Sequence, residues 1–142
     1  MDLSERASTM TTHDVFRFDV PAEDDFGYSQ AIGSGELVHV SGQLAFDEAG
    51  EFPDGGDFAA QLRRTHANMD RVLEHYGATR NQIVSQTQYV VDLRQHAAAV
   101  ARGNLAYFGE HRPASTVLGV TELTLPGQVV EIGFVIDLRL PA

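Results

Sequence analysis

The sequence predicts an α+β fold in two layers, one mixed sheet with two helices on one of its faces. One segment of helical length shows a single apolar face, a second is rich in alanine with Leu105, Tyr107 and Phe108, and a β-rich run separates them. The chain closes on a regular alternation of apolar and polar residues. Its 142 residues supply one core but not two.

Residues 1–13 are rich in Ser and Thr without periodicity, and they are expected to form a disordered tail ahead of a single domain over 14–142. Val15 to Val20 alternates as a first strand that Pro21 closes, and Ala22-Glu23-Asp24-Asp25 reads as an acidic loop. Tyr28 opens an extended stretch, and a turn at Gly33-Ser34-Gly35 joins it to Leu37–Ser41 as a hairpin. Asp47 to Asp57 holds five acids, three glycines and one proline, the composition of a solvated loop. Its carboxylates are oxygen donors for calcium, but their spacing fits no EF-hand.

Asp57 is the expected N-cap of the first helix and Gly77 its C-terminal stop. Phe58, Leu62, Met69, Val72, Leu73 and Tyr76 share one face of it. Ile83 to Asp92 is β-rich, and residues 94–109 form the second helix, weakened by Gly103. Ser115 to Thr121 is a further strand, linked through Leu125-Pro126-Gly127 to the last one. There Val130, Ile132, Phe134, Ile136, Leu138 and Leu140 alternate with Glu131, Gly133, Val135, Asp137 and Arg139. The expected order is β-β-β-α-β-α-β-β.

Composition narrows the function. Ten Lys and Arg against twenty Asp and Glu leave a net charge of -10, which opposes binding to nucleic acid or to an anionic membrane surface. No apolar run has the length of a membrane helix, and the first residues lack the apolar core of a secretory signal, so a cytoplasmic setting is expected. The absence of cysteine excludes disulfides, thiolate metal sites and cysteine nucleophiles. Six histidines show neither HExxH nor an i, i+4 pair, so no metal is expected. No glycine-rich phosphate loop and no GxSxG serine context occurs.

Glu131 is the residue of chemical interest. A carboxylate in the middle of a strand between Val130 and Ile132 must face a cleft, an interface, or water and a salt bridge, because a closed core would not accept it unpaired. Gly133, two residues on, leaves space on the same face for a small molecule. Tyr28 stands in front of the hairpin, where a tyrosine most simply packs with its hydroxyl in water.

Gly27-Tyr28-Ser29-Gln30-Ala31 and Leu37-Val38-His39-Val40-Ser41-Gly42-Gln43 resemble the opening of the YjgF/RidA (reactive intermediate deaminase) family. The helix from Gln61 to Gly77, the run Thr87–Leu93, Pro113-Ala114 and Val130-Glu131-Ile132 follow in the family's order. The resemblance implies a chorismate-mutase-like fold, assembled as a homotrimer with clefts between subunits. It also implies cofactor-independent hydrolysis of 2-imino and enamino acids to 2-oxo acids and ammonia. It assigns the cleft to Tyr28, backbone groups near Ser41 and Gly42, and Glu131.

The chain departs from the family where an arginine clamps the substrate carboxylate; Ser115 occupies that place, and a hydroxyl supplies neither the charge nor the fork of a guanidinium. Arg112, three residues earlier, is the candidate substitute. The family's asparagine in the second helix is matched by Ala101. The expected function is therefore a hydrolase or deaminase of an imine, enamine or related C–N substrate. Glu131 and Tyr28 are its catalytic groups, and Ser41, Gly42, Ser115 and Arg112 bind substrate. A non-catalytic trimer that binds a metabolite is the alternative, and ribonuclease activity ranks last on charge.

Overall fold

The computed structural model describes residues 14–142; the expected tail, residues 1–13, lies outside them. The alternating C-terminal stretch forms strand β6, Val130–Asp137, in the interior of a six-stranded sheet. Its apolar residues Val130, Ile132, Phe134 and Ile136 are buried, and Glu131, Gly133, Val135 and Asp137 point the other way. The sheet order is β1 (Asp14–Phe16), β2 (Ala31–Ser34), β3 (Leu37–Gln43), β6, β4 (Ile83–Val91), β5 (Ala114–Val120). All neighbours are antiparallel except β4 and β5, which are parallel because a helix carries the chain back between them.

Three helices accompany the sheet: α1 (Pro21–Phe26), α2 (Phe58–His75) and α3 (Leu93–Phe108). Asp57 caps α2 as expected, its Oδ1 accepting from the Ala60 N–H at 3.0 Å, and Gly77 at φ 62° ends it. Met69, Val72 and Leu73 of α2 and Val100, Tyr107 and Phe108 of α3 share one core with the buried side of β6, so both long helices cover the same face. Gly103 lets α3 approach α2 closely, since an added Cβ would lie 2.5 Å from Leu62 Cδ2.

The acidic loop expected at Ala22–Asp25 is instead the helix α1, so the described residues form three α-helices rather than two. Pro21 sits at its first position, and the Glu23 carboxylate reaches back to its start. Glu23 Oε1 accepts from Val20 N at 3.0 Å; Oε2 accepts from Phe18 N at 2.8 Å and Gln30 Nε2 at 2.9 Å. These bonds, with Asp19 at φ 60°, also bend the chain away from β1 after Phe16, so the first strand is shorter than expected. At the other end β6 stops at Asp137 instead of running to Leu140. Its neighbours begin at Leu37 and Ile83, and the carbonyls of Leu138 and Leu140 accept from Gln82 Nε2 instead.

Glu23 is 2% exposed and acts as the hub of this corner. Burial works to raise its pKa, but the N–H groups of Phe18 and Val20, the Gln30 amide and Arg17 outweigh burial and hold it below the ordinary 4.5. A depressed carboxylate contributes stability above its unfolded pKa, and that contribution is lost as pH falls through the folded value. Glu23→Ala is expected to cost on the order of 3 kcal/mol in urea unfolding at neutral pH, because it orphans several buried donors. The difference from the parent protein should shrink below pH 4.5.

Candidate active site

Strand β3 carries a bulge where it meets β6. Val40 pairs with Phe134 and Gln43 with Ile132, so Ser41 and Gly42 together oppose the single residue Gly133. The bulge brings the Gly42 backbone over the Glu131 side chain. A Cβ at Gly42 would lie 2.6 Å from Glu131 Cδ and 2.8 Å from Oε2, so only glycine leaves the carboxyl its place. Gly133, expected to leave space for a small molecule, does not border this site. An added Cβ there would meet Val40 O at 3.7 Å and Gly42 N at 3.8 Å, ordinary contacts with bulge backbone. Gly133→Ala is accordingly expected to leave turnover and melting temperature near those of the parent.

Glu131 opens into a cavity of 260 Å³ that Tyr28, Ser41 and Gly42 also line. Four of the six predicted site residues thus meet at one place. Phe26, Leu44, Phe46 and Leu125 give it apolar walls, and Thr124 adds a hydroxyl. Each wall has a support. The C-terminal turn of α1, with Gly27 at φ 73° and Gly27 and Tyr28 N–H both bonded to Glu23 O at 3.0 Å, presents Phe26 and Tyr28. The buried Asn68 amide donates to Leu44 O at 2.8 Å and Phe46 O at 2.9 Å. Gln61, also buried, donates to Gly127 O at 2.8 Å and accepts from Val129 N at 2.9 Å, fixing the loop that carries Leu125.

The Glu131 carboxyl makes no ion pair among the described residues. Burial pushes its pKa above the ordinary 4.5, and the Gln128 side chain draws it only partly back. Burial likewise raises the Tyr28 hydroxyl, opposed by Gln30 and assisted by the negative charges of Glu23 and Glu131. Tyr28 therefore stays protonated at neutral pH and offers a donor. Ser41 is already engaged: its Oγ donates to Ser29 O at 2.6 Å and its N–H to Gln30 O at 2.8 Å. It shapes the cavity and keeps only acceptor capacity for a ligand.

The other two predicted residues lie elsewhere in the protomer. Ser115 pairs with Gln86 on the helix-covered side of the sheet, where its Oγ accepts from Gln86 Nε2 at 3.0 Å. Gln86 also donates to Asn104 Oδ1 at 2.7 Å, so α3 contributes an asparagine one turn beyond Ala101. Arg112 folds its guanidinium onto the carbonyls of Gly109 and His111 at the end of α3, and it does not line the cavity. The apolar walls were not among the sequence candidates. Their signal was Leu44 and Phe46, apolar residues left over between a strand and an acidic loop.

Residues 22–137 match the family model described as Endoribonuclease L-PSP. A RutC family protein of Pyrococcus abyssi is 38% identical over 97 residues, covering 68% of this chain and 75% of that protein. A protein of Escherichia coli K12 named 2-iminobutanoate/2-iminopropanoate deaminase is 33% identical over 100 residues, 68% of this chain and 76% of its own. Among solved structures, Rv2704 of Mycobacterium tuberculosis, a member of the YjgF/YER057c/UK114 family, superposes with a TM-score of 0.77. It is 30% identical, and the match covers 88% of this chain and 98% of that one.

Proposed function

The chain belongs to the YjgF/RidA family, and we propose that it is a hydrolase of the deaminase type, acting on an imine, enamine or related C–N substrate in the Glu131 cavity. The observation that carries this reading is a half-buried carboxyl with a raised pKa and, among the described residues, no cation beside it, sharing a small cavity with a tyrosine hydroxyl. That is the equipment for moving one proton repeatedly at one place.

In this mechanism the Glu131 carboxylic acid protonates the imine nitrogen. The resulting carboxylate takes a proton from water as the water oxygen bonds to the imine carbon, giving a carbinolamine. Glu131 then protonates the amine, and recovers the hydroxyl proton as the C–N bond breaks. The products are a carbonyl compound and ammonia, and the acid is restored. Tyr28 donates a hydrogen bond that orients the substrate or the attacking water. No metal or organic cofactor enters these steps.

A homotrimer belongs to the same reading. Ile32 on β2 and Leu118 on β5 are 43% and 45% exposed, apolar surface that a neighbouring copy would cover. The alternative, a trimer that binds a metabolite without chemistry, is favoured by one observation, the engagement of Ser115 with Gln86 in place of a substrate anchor. Ribonuclease action has little support, since the net charge is -10 and the chain contains no lysine.

The test is imine loss in the presence of the purified protein. Imines are generated in situ by an oxidase and trapped with semicarbazide, with Glu131→Ala run alongside. Faster imine loss that vanishes in the variant supports hydrolysis. No acceleration on any imine sets it aside in favour of the binding role.

A further inference from the structure

We infer that the Glu131 cavity selects neutral or cationic imines with a compact apolar substituent, of the kind formed by oxidation of simple amines, over imines that carry a carboxylate. The inference rests on the hydrolase reading for its chemistry, and on the cavity alone for its selectivity.

The cavity wall is built from Phe26, Leu44, Phe46 and Leu125 around Glu131 and Tyr28, and among the described residues no arginine or histidine lines it. The chain has no lysine to bring. A substrate carboxylate there would lose its water, meet no cation and face the carboxyl of Glu131. A protonated imine reverses each of these terms, since Glu131 becomes its counter-charge.

The guanidinium groups of Arg17, Arg139 and Arg112 already have partners outside the cavity. Arg17, beside Tyr28 in the adjoining groove, is bonded to Asp24 at 2.8 Å and to Glu23 at 3.5 Å. Arg139 is paired with Asp137 at 2.9 Å, and Arg112 with the α3 carbonyls. Arg63 and Arg102 line a groove between α2 and α3, in the helix layer across the sheet from Glu131. The edge strand β5 exposes Val117 and Leu118 and carries no cation from Ala114 to Val120.

Size narrows the class further. At 260 Å³ the cavity is smaller than the ~300–1,000 Å³ that drug-sized ligands occupy, and it has room for one ring or a branched chain. Oxidation of a primary amine by an amine oxidase gives R–CH=NH; water then adds to give R–CHO and ammonia, with no carboxylate at any stage. The reaction that supplies this substrate is therefore two-electron oxidation of an amine.

Binding and turnover test the two claims separately in the full-length protein. Isothermal titration compares benzamidine, benzamide and benzoate as cationic, neutral and anionic probes of one shape. We expect benzamidine and benzamide to bind at least about tenfold more tightly than benzoate, and the benzamidine preference to disappear in Glu131→Gln. Benzoate binding as tightly as benzamide, or no binding by any probe, overturns the inference.

Turnover is compared on benzaldimine, from benzylamine and an amine oxidase, and on the 2-imino acid from phenylalanine and an amino-acid oxidase. The expected result is hydrolysis of benzaldimine at least about tenfold faster. Hydrolysis of the imino acid alone overturns the selectivity and leaves the hydrolase reading standing. Failure on both imines, with Glu131-dependent benzamidine binding intact, overturns the hydrolase reading and leaves the selectivity standing.

Discussion

A methyl group added at Gly42 is expected to silence the cavity without unfolding the protein. The new Cβ would lie 2.6 Å from Glu131 Cδ, so the carboxyl must swing away. Because the atoms it meets are the far end of a flexible side chain, the displacement costs little stability. The cost falls on geometry: displacing a reacting group by about 1 Å can lower turnover by ~100-fold. Gly42→Ala should therefore show that loss with a melting temperature close to the parent's, while Gly133→Ala, two residues from Glu131 on the same strand face, shows neither effect. Equal losses in the two variants would mean that the bulge, and not the carboxyl, is what turnover depends on.

Glu131→Gln is expected to separate activity from stability in the opposite sense. Removing the proton carrier should lower hydrolysis by ~10²–10⁴-fold. The same change should raise the melting temperature at neutral pH. A carboxyl whose pKa is raised by burial stabilises the fold least where it is ionised, and stability recovers as pH falls through the folded value. Glutamine keeps the shape and removes that burden, so the gain should shrink in acid. A variant less stable than the parent at neutral pH would place Glu131 in a favourable interaction that burial alone does not describe.

Much of this arrangement was legible in the sequence, for identifiable reasons. The period of two from Val130 to Asp137 fixes which side chains face the helices, and so forces Glu131 onto the other face. Asp57 and Gly77 bound α2 through local capping chemistry, which needs no tertiary information. The order of motifs, compared with a known family, then brought Tyr28, Ser41 and Gly42 to the same cavity.

What was not legible depends on contacts distant along the chain or on register. Helix α1 is six residues long with three acids, too short to show an apolar period, and it is held by a carboxylate that bonds Phe18 and Gln30. The bulge is a mismatch between two strands about ninety residues apart, visible in neither alone. That mismatch moved the space beside Glu131 from Gly133 to Gly42. The orientation of Ser115 follows from β5 lying parallel to β4, which sets it against Gln86 and away from Glu131.

The most direct measurement is ammonia release from an imine by the parent protein and Glu131→Gln, followed from mildly acidic to mildly alkaline pH. The carboxyl and the imine nitrogen must share one proton in the productive complex. The parent is therefore predicted to accelerate release with an acidic limb in kcat/KM above pH 4.5, the ordinary carboxyl value, and the variant to stay at the buffer rate throughout. A variant that keeps the parent's rate and the parent's pH profile would contradict the account, because the proton would then be moving through some other group.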